Sequence, residues 1–264
     1  MLFVAIGAGG GCSAPSDQNT LVLTGSSTIA PVIAEIALRY EHAYPGMRVD
    51  VQSGGSSRGI GDVRNGLAGI AMVSRALEGR EQVLEAYPIA RDGVGIILNA
   101  RNSVEALTDA QIAAIYRGEI GNWREVGGRD AKIVVVHKAE GRATLEVFLA
   151  YFEIDNRDVK ADVIAGENEQ AIKTVAGSPE AIGYVSIGTA AVDIDHGVPI
   201  KLLRIGGVAA TLSNIRLGRY PIVRPLNLVT REPATGLARA FIDFVRSPAM
   251  TGLIEAQHFV QVSE

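Results

Sequence analysis

A chain of 264 residues, 47% of them hydrophobic, is long enough for two lobes or for one large α/β domain with a sizeable core. Its formal net charge of −4 gives no electrostatic ground for a nucleic-acid or anionic-membrane partner, so any anion site must be local, made by backbone dipoles and a few placed cations. The single cysteine, Cys12, excludes an internal disulfide and a cysteine-based metal cluster, and the four histidines, His42, His137, His196 and His258, stand at no metal-binding spacing.

Residues 1–20, MLFVAIGAGGGCSAPSDQNT, run apolar, then small, then polar, as the end of a secretory signal does. A lone Cys at that junction suggests a lipoprotein with its lipid on Cys12; a leader of no consequence is the alternative. No later run reaches the roughly 18 apolar residues that a membrane span requires.

Leu21 to Pro31, LVLTGSSTIAP, reads as a strand, a tight turn and a helix start. Ile29, Val32, Ile33, Ile36, Ala37 and Tyr40 fall on one helical face, and Pro45-Gly46 ends that helix. A helix start exposes unpaired N–H groups and the positive end of the macrodipole, so a hydroxylic turn there can hold an anion. Simple capping by Ser27 or Thr28 is the competing reading. Met47, Val49 and Val51 alternate as a strand that runs into Ser53-Gly54-Gly55-Ser56-Ser57-Arg58-Gly59, with a short helix from about Ile60 to Asn65. A third copy of the design follows: the buried-strand run Ile70–Val73, then Ser74-Arg75, then a charged helix from about Glu78 to Glu85. Ligands of parallel α/β sheets sit at the carboxyl ends of strands, so these three ends are expected to converge.

Val94 to Leu98 reads as a further strand, and Thr108 with Gln111 as the capping box of a helix through Tyr116. Trp123, in a glycine-rich loop, is expected to pack in the core. Ile133 to Val136 enters His137-Lys138-Ala139-Glu140-Gly141-Arg142-Ala143-Thr144, and Leu145, Phe148, Leu149 and Phe152 mark a helix after it. Two cations in that first turn oppose the macrodipole, a penalty a bound anion would offset; a solvated pair of charges is the alternative. Glu167 to Val175 reads as a helix, and Ile182–Val185, Lys201–Ile205 and Ile222–Val229 as strands. Pro225 makes the last of these an edge, a bulge or a crossover. Two amphipathic helices, Thr235–Val245 and Ala249–Ala256, close the chain.

Seven ordered blocks now resemble one family: GSSTIAP (25–31), QSGGSSRGIGDVRNG (52–66), IAMVSRAL (70–77), ARDGVGIILN (90–99), LTDAQIAAIYRGEIGNWREVGG (107–128), AIGYVS (181–186) and YPIVRPLNLV (220–229). They are similar to the solute-binding component of the phosphate ABC transporter. The resemblance implies an α/β, type II periplasmic-binding-protein-like fold, two α/β lobes closing on ligand in a cleft. Lobe 1 is expected at 21–98 plus 225–264 and lobe 2 at 99–224. The resemblance also implies ligand groups on Ser26, Ser27 and Thr28, on the Ser56-Ser57 pair, on Ser74-Arg75, and on an Arg-then-Ser-Gly-Thr segment. The last falls here on Lys138 and on Arg142, Ala143 and Thr144, with Gly141 beside them as a further ligand residue. Only Thr144 is kept; Lys supplies a point charge where Arg offers a fork, and Arg142 is placed to replace it.

The expected function is capture of inorganic phosphate outside the cytoplasm, in the periplasm or on the outer face of the membrane, for an ABC importer. The expected form is a monomer with a membrane permease as partner, no cofactor and no metal. The altered loop leaves another oxyanion or a phosphorylated compound open, as well as a sensor or scavenger. Discrimination of phosphate from sulfate asks for a carboxylate that accepts the phosphate proton, with Asp92 and Glu140 as candidates. A phosphoester hydrolase is the competing class, and it would need His137 as base.

Overall fold

The computed structural model describes residues 19–262, so the lipid-site reading at Cys12 and nearly all of the leader lie outside the described residues. Strand β1 (Thr20–Gly25) leads into helix α1 (Ala30–Ala43), and β2 (Arg48–Ser53) into α2 (Ser56–Arg64). Strand β3 (Ile70–Val73) is followed by a 3-10 turn (Gly79–Val83) and the long strand β4 (Glu85–Asn99). The middle of the chain holds α3 (Asp109–Tyr116), β5 (Val134–Lys138), α4 (Ala143–Phe152), β6 (Val163–Ala165), α5 (Asn168–Gly177), β7 (Ala181–Ser186), α6 (Ile187–Asp195), β8 (Ile200–Leu202) and α7 (Leu212–Arg216). Strand β9 (Val223–Thr230), α8 (Gly236–Arg246), α9 (Thr251–Ala256) and β10 (Val260–Gln261) complete it.

The strands run in the order β2-β1-β3-β9-β4-β7-β5-β6, with β8 and β10 also on β4. Strand β4 joins two sheets. Its residues Glu85–Gly93 pair antiparallel with β9, and Val94–Leu98 pair antiparallel with β7. The partner changes between Gly93 and Val94, and β9 begins opposite Gly93, so two adjacent strands connect two α/β lobes. Each lobe has its own core. Leu23, Ile33, Ile36, Ile70, Leu228 and Phe241 pack in one; Ile96, Ile112, Trp123, Phe148 and Tyr184 pack in the other. Full burial of each such side chain is worth about 1.5–3 kcal/mol, which is why α1 and α4 dock by their apolar faces.

Most expected elements form. The capping box of Thr108 and Gln111 is present, and Trp123 is fully buried with its indole N–H donating to the Glu180 carbonyl. Three expectations are corrected. The charged stretch after Arg75 is a five-residue 3-10 turn, because the Glu78–Glu81 capping box closes it and Glu85 already pairs with Thr230. Helix α2 starts at Ser56, four residues before Ile60, because Gly55 at φ 99° turns the chain directly into it. Strand β4 begins at Glu85, well before Val94. Pro225 lies in the crossover, ahead of the segment Asn227–Val229 that pairs with β3.

Candidate functional site

Strands β1, β2 and β3 are parallel, so their carboxyl ends lie side by side. The approach is closest at Gly25, where a Cβ would sit 2.3 Å from the Met72 carbonyl oxygen; with φ at 134°, only glycine fits. Its neighbour Ser26 donates its N–H to that carbonyl (2.8 Å). The Ser26 hydroxyl accepts from the Thr28 N–H (3.2 Å) and donates to the Ser74 hydroxyl (2.8 Å), and the Ser74 N–H donates to the Ser56 hydroxyl (3.1 Å). Helix α1 has no side-chain cap, and its N-cap residue is Ile29, so neither Ser27 nor Thr28 is spent on capping.

From the other lobe come Arg142, the N-cap residue of α4, and Ala143 and Thr144 in its first turn. Together Ser26, Ser27, Thr28, Gly55, Ser56, Ser74, Arg142, Ala143 and Thr144 line a small, tightly closed cavity between the lobes. Helices α1, α2 and α4 all begin at this cavity, so three sets of N-terminal dipoles point toward it. One Arg142 Nη donates to Glu167 Oε1 (2.8 Å), while its Nε is buried with no hydrogen-bond partner. A spare cationic donor on a residue that lines the cavity suits an anion.

Eight of the twelve expected ligand residues are thus brought together, and four are placed elsewhere. Arg75 points away from the cavity: its guanidinium makes a bidentate pair with Glu81, and its Nε meets Glu146 of the other lobe. Glu81 is held below the usual carboxylate range, first by that Arg75 hydrogen bond. Ser57 lies on the rim, donating its hydroxyl to Glu146 (3.1 Å) and its N–H to the Gly141 carbonyl (3.3 Å). Gly141 therefore meets the other lobe through its backbone. Lys138 is buried behind the wall, with Nζ donating to the Glu167 carbonyl (2.8 Å). Burial pushes its amine down to about 7, with Arg224 and Arg142 adding to the effect and Glu167 opposing it.

The residue that the sequence reading missed is Arg224 of β9. It is 1% exposed and pairs with the fully buried Asp92 on the adjacent strand β4 (2.8 Å). It also donates to Thr28 (3.0 Å), Thr144 (2.9 Å) and Ser74 (3.4 Å). Its signal was an arginine inside the largely apolar strand VRPLNLV, where a buried charge demands a partner. Asn168, also missed, bridges the lobes by donating to Thr28 (3.1 Å).

Neither candidate proton acceptor stands free in the cavity. Asp92 accepts from Arg224 and from the Gly188 N–H, and Glu140 is exposed and bonded to Asn156. His137 is held by Tyr184 and Asn156 (2.9 Å each) in the core of the second lobe, and burial lowers its pKa. Among the described residues no group of His, Cys, Asp and Glu could hold a metal ion, and no helix is long and apolar enough to cross a membrane.

Residues 13–249 match the family model of the PBP superfamily domain. The chain is 27% identical to the Phosphate-binding protein PstS of Bacillus subtilis, over 94% of this chain and 82% of that protein. It is similar to the structure of a putative phosphate ABC transporter substrate-binding protein with bound phosphate from Clostridium perfringens, with 30% identity, a TM-score of 0.86, and 93% and 100% of the two chains covered. A similar structure is that of an ABC-type phosphate transport receptor from Vibrio cholerae, with 31% identity, a TM-score of 0.75, and 91% and 99% covered.

Proposed function

Since the chain belongs to the PBP superfamily, we propose that it is the extracytoplasmic solute-binding component of an ABC importer and that its cargo is inorganic phosphate. The observation that carries this reading is the small cavity lined from both lobes by hydroxyls and by Arg142, whose buried Nε has no hydrogen-bond partner. Hydroxyl and N–H donors surround the anion, and charge-assisted bonds to it contribute about 1.5–3 kcal/mol each before association and closure costs are subtracted. A binding role needs no nucleophile and no base, in keeping with His137 being committed elsewhere.

Closure is a hinge motion about β4 and β9, the strands that join the lobes. The closed form is the one a membrane permease would recognise, and lipid on Cys12 would hold the protein at the outer face of the membrane.

Calorimetry of the purified protein with phosphate, sulfate, molybdate and a few phosphoesters tests the cargo. Phosphate should bind with micromolar or tighter affinity; no heat and no thermal stabilisation at millimolar phosphate would overturn the reading. Ser56→Ala and Arg142→Ala should each weaken binding about tenfold, from roughly 1.5 kcal/mol per lost bond. Unchanged affinity in both variants would move the site elsewhere.

A further inference from the structure

Arg224 does not line the cavity, yet it touches more of its wall than any residue that does. A guanidinium has five N–H donors, and all five are in use. Nε and one Nη2 proton go to Asp92 Oδ2 (3.2 and 2.8 Å), the other Nη2 proton to Thr28 (3.0 Å), and the two Nη1 protons to Thr144 (2.9 Å) and Ser74 (3.4 Å). The three hydroxyls come from three different segments and from both lobes. The anchor, Asp92, faces Arg224 in register across the two strands that join those lobes.

We infer that Arg224 is a positioning residue for anion capture: it occupies lone pairs of Thr28, Ser74 and Thr144 and so directs their protons into the cavity. A hydroxyl has one proton and two acceptor sites. Thr28 accepts from Arg224 and from Asn168, so both its lone pairs are taken and its proton must donate elsewhere. Ser74 likewise accepts from Arg224 and from the Ser26 hydroxyl. Left to themselves, hydroxyls rotate and present either a proton or a lone pair; with lone pairs filled from behind, they present protons. Because Asp92 balances the guanidinium, Arg224 contributes this polarity without adding net charge to the wall, and one planar group sets donors on both lobes at once.

This inference rests on the reading of the cavity as an oxyanion site, and its test separates the two. Inorganic phosphate is titrated by calorimetry into the wild type, Arg224→Lys, Thr144→Val and the double variant, with thermal unfolding of each. Lysine keeps the charge beside Asp92 but cannot reach three hydroxyls in one plane. The expected result is about a tenfold or greater loss for Arg224→Lys and about tenfold for Thr144→Val alone. In the Arg224→Lys background, Thr144→Val should cost less than about threefold, because the hydroxyl is no longer held in the donating orientation. A purely structural role would lower the melting temperature and leave the two binding losses multiplying. That outcome, or wild-type affinity in Arg224→Lys, overturns the inference while leaving the oxyanion site standing. Absence of phosphate binding by the wild type removes the oxyanion reading and the inference with it. Should Arg224→Lys fail to fold, Asp92→Asn with Arg224→Gln, which buries neither charge, carries the same cycle.

Discussion

Gly55 and Gly141 meet across the cleft so closely that a Cβ on Gly55 would lie 2.5 Å from the Gly141 carbonyl oxygen. That oxygen accepts the N–H of Ser57, and Gly55 itself has φ 99°. Glycine here serves closure as well as turning.

Gly55→Val should therefore separate closing from folding. The added side chain strikes backbone of the other lobe, which cannot swing aside, so the lobes should stop short of each other. Phosphate affinity should fall about 100-fold, roughly 2.8 kcal/mol. Gly55, at φ 99° and ψ 153°, occupies a region nearly reserved for glycine, so the backbone strain of a side chain there adds about 1–3 kcal/mol of destabilisation, a drop of several degrees in melting temperature. Small-angle scattering with saturating phosphate gives the decisive reading: wild-type compaction in the variant would show that the glycine contact does not govern closure.

Glu146 gathers the rim contact between the lobes, pairing with Arg75 and accepting from the Ser57 hydroxyl. The pair is partly solvent-exposed, with Glu146 at 35%, so its worth is at the scale of surface ion pairs, about 0–1 kcal/mol. Glu146→Ala should weaken phosphate binding by no more than about fivefold, mainly through faster release, and the defect should shrink with added salt. A loss beyond about 100-fold in stopped-flow or calorimetric measurements would show that Glu146 contacts the ligand.

Lys138 should leave a signature in the pH dependence of stability. Its folded pKa is depressed to about 7, chiefly by burial, whereas the unfolded chain keeps the ordinary lysine value of about 10.4. Between those values the unfolded state binds more protons, so this group makes stability rise with pH from about 7 to about 10. Below 7 both states are protonated and the contribution is flat. Denaturant titrations of wild type and Lys138→Met across pH 6–10 should show the wild type gaining on the variant above pH 7. A constant difference would mean that the amine keeps its ordinary pKa in the fold.

Phe148 stacks on Tyr184, with ring centroids 3.8 Å apart and planes 8° from parallel, and it is fully buried on the inner face of α4. Phe148→Ala should cost about 3–5 kcal/mol in denaturant unfolding. A cost under about 1 kcal/mol would show that the second core collapses around the gap.

Elements whose residues face one continuous core were legible in the sequence. Helix α1 buries Val32, Ile33, Ile36, Ala37 and Tyr40, the stripe its period predicts, and α4 buries Leu145, Phe148 and Phe152. The first half of β4 was not legible. Glu85–Gly93, EAYPIARDG, carries three charges and a proline because it passes between lobes, with changing neighbours on both sides. Helix α2 was read short for a different reason: Ser56 and Ser57 look like loop until Gly55 is seen to turn the chain into the helix.

The two arginines divide what is local from what is not. The sequence by itself determined that small hydroxylic turns end three strands and begin helices, because strand period, glycine turns and helix starts are properties of a few adjacent residues. The family resemblance pointed to Arg75, beside Ser74 in one such turn, and to Lys138 and Arg142 as the cations of the site. Only the tertiary structure decided that Glu81 and Glu146 hold Arg75 on the rim, while Arg224, 132 residues from Asp92, stands behind the hydroxyls. A guanidinium goes where its carboxylate and its acceptors converge, and that convergence exists only once two strands pair across the hinge and the lobes meet.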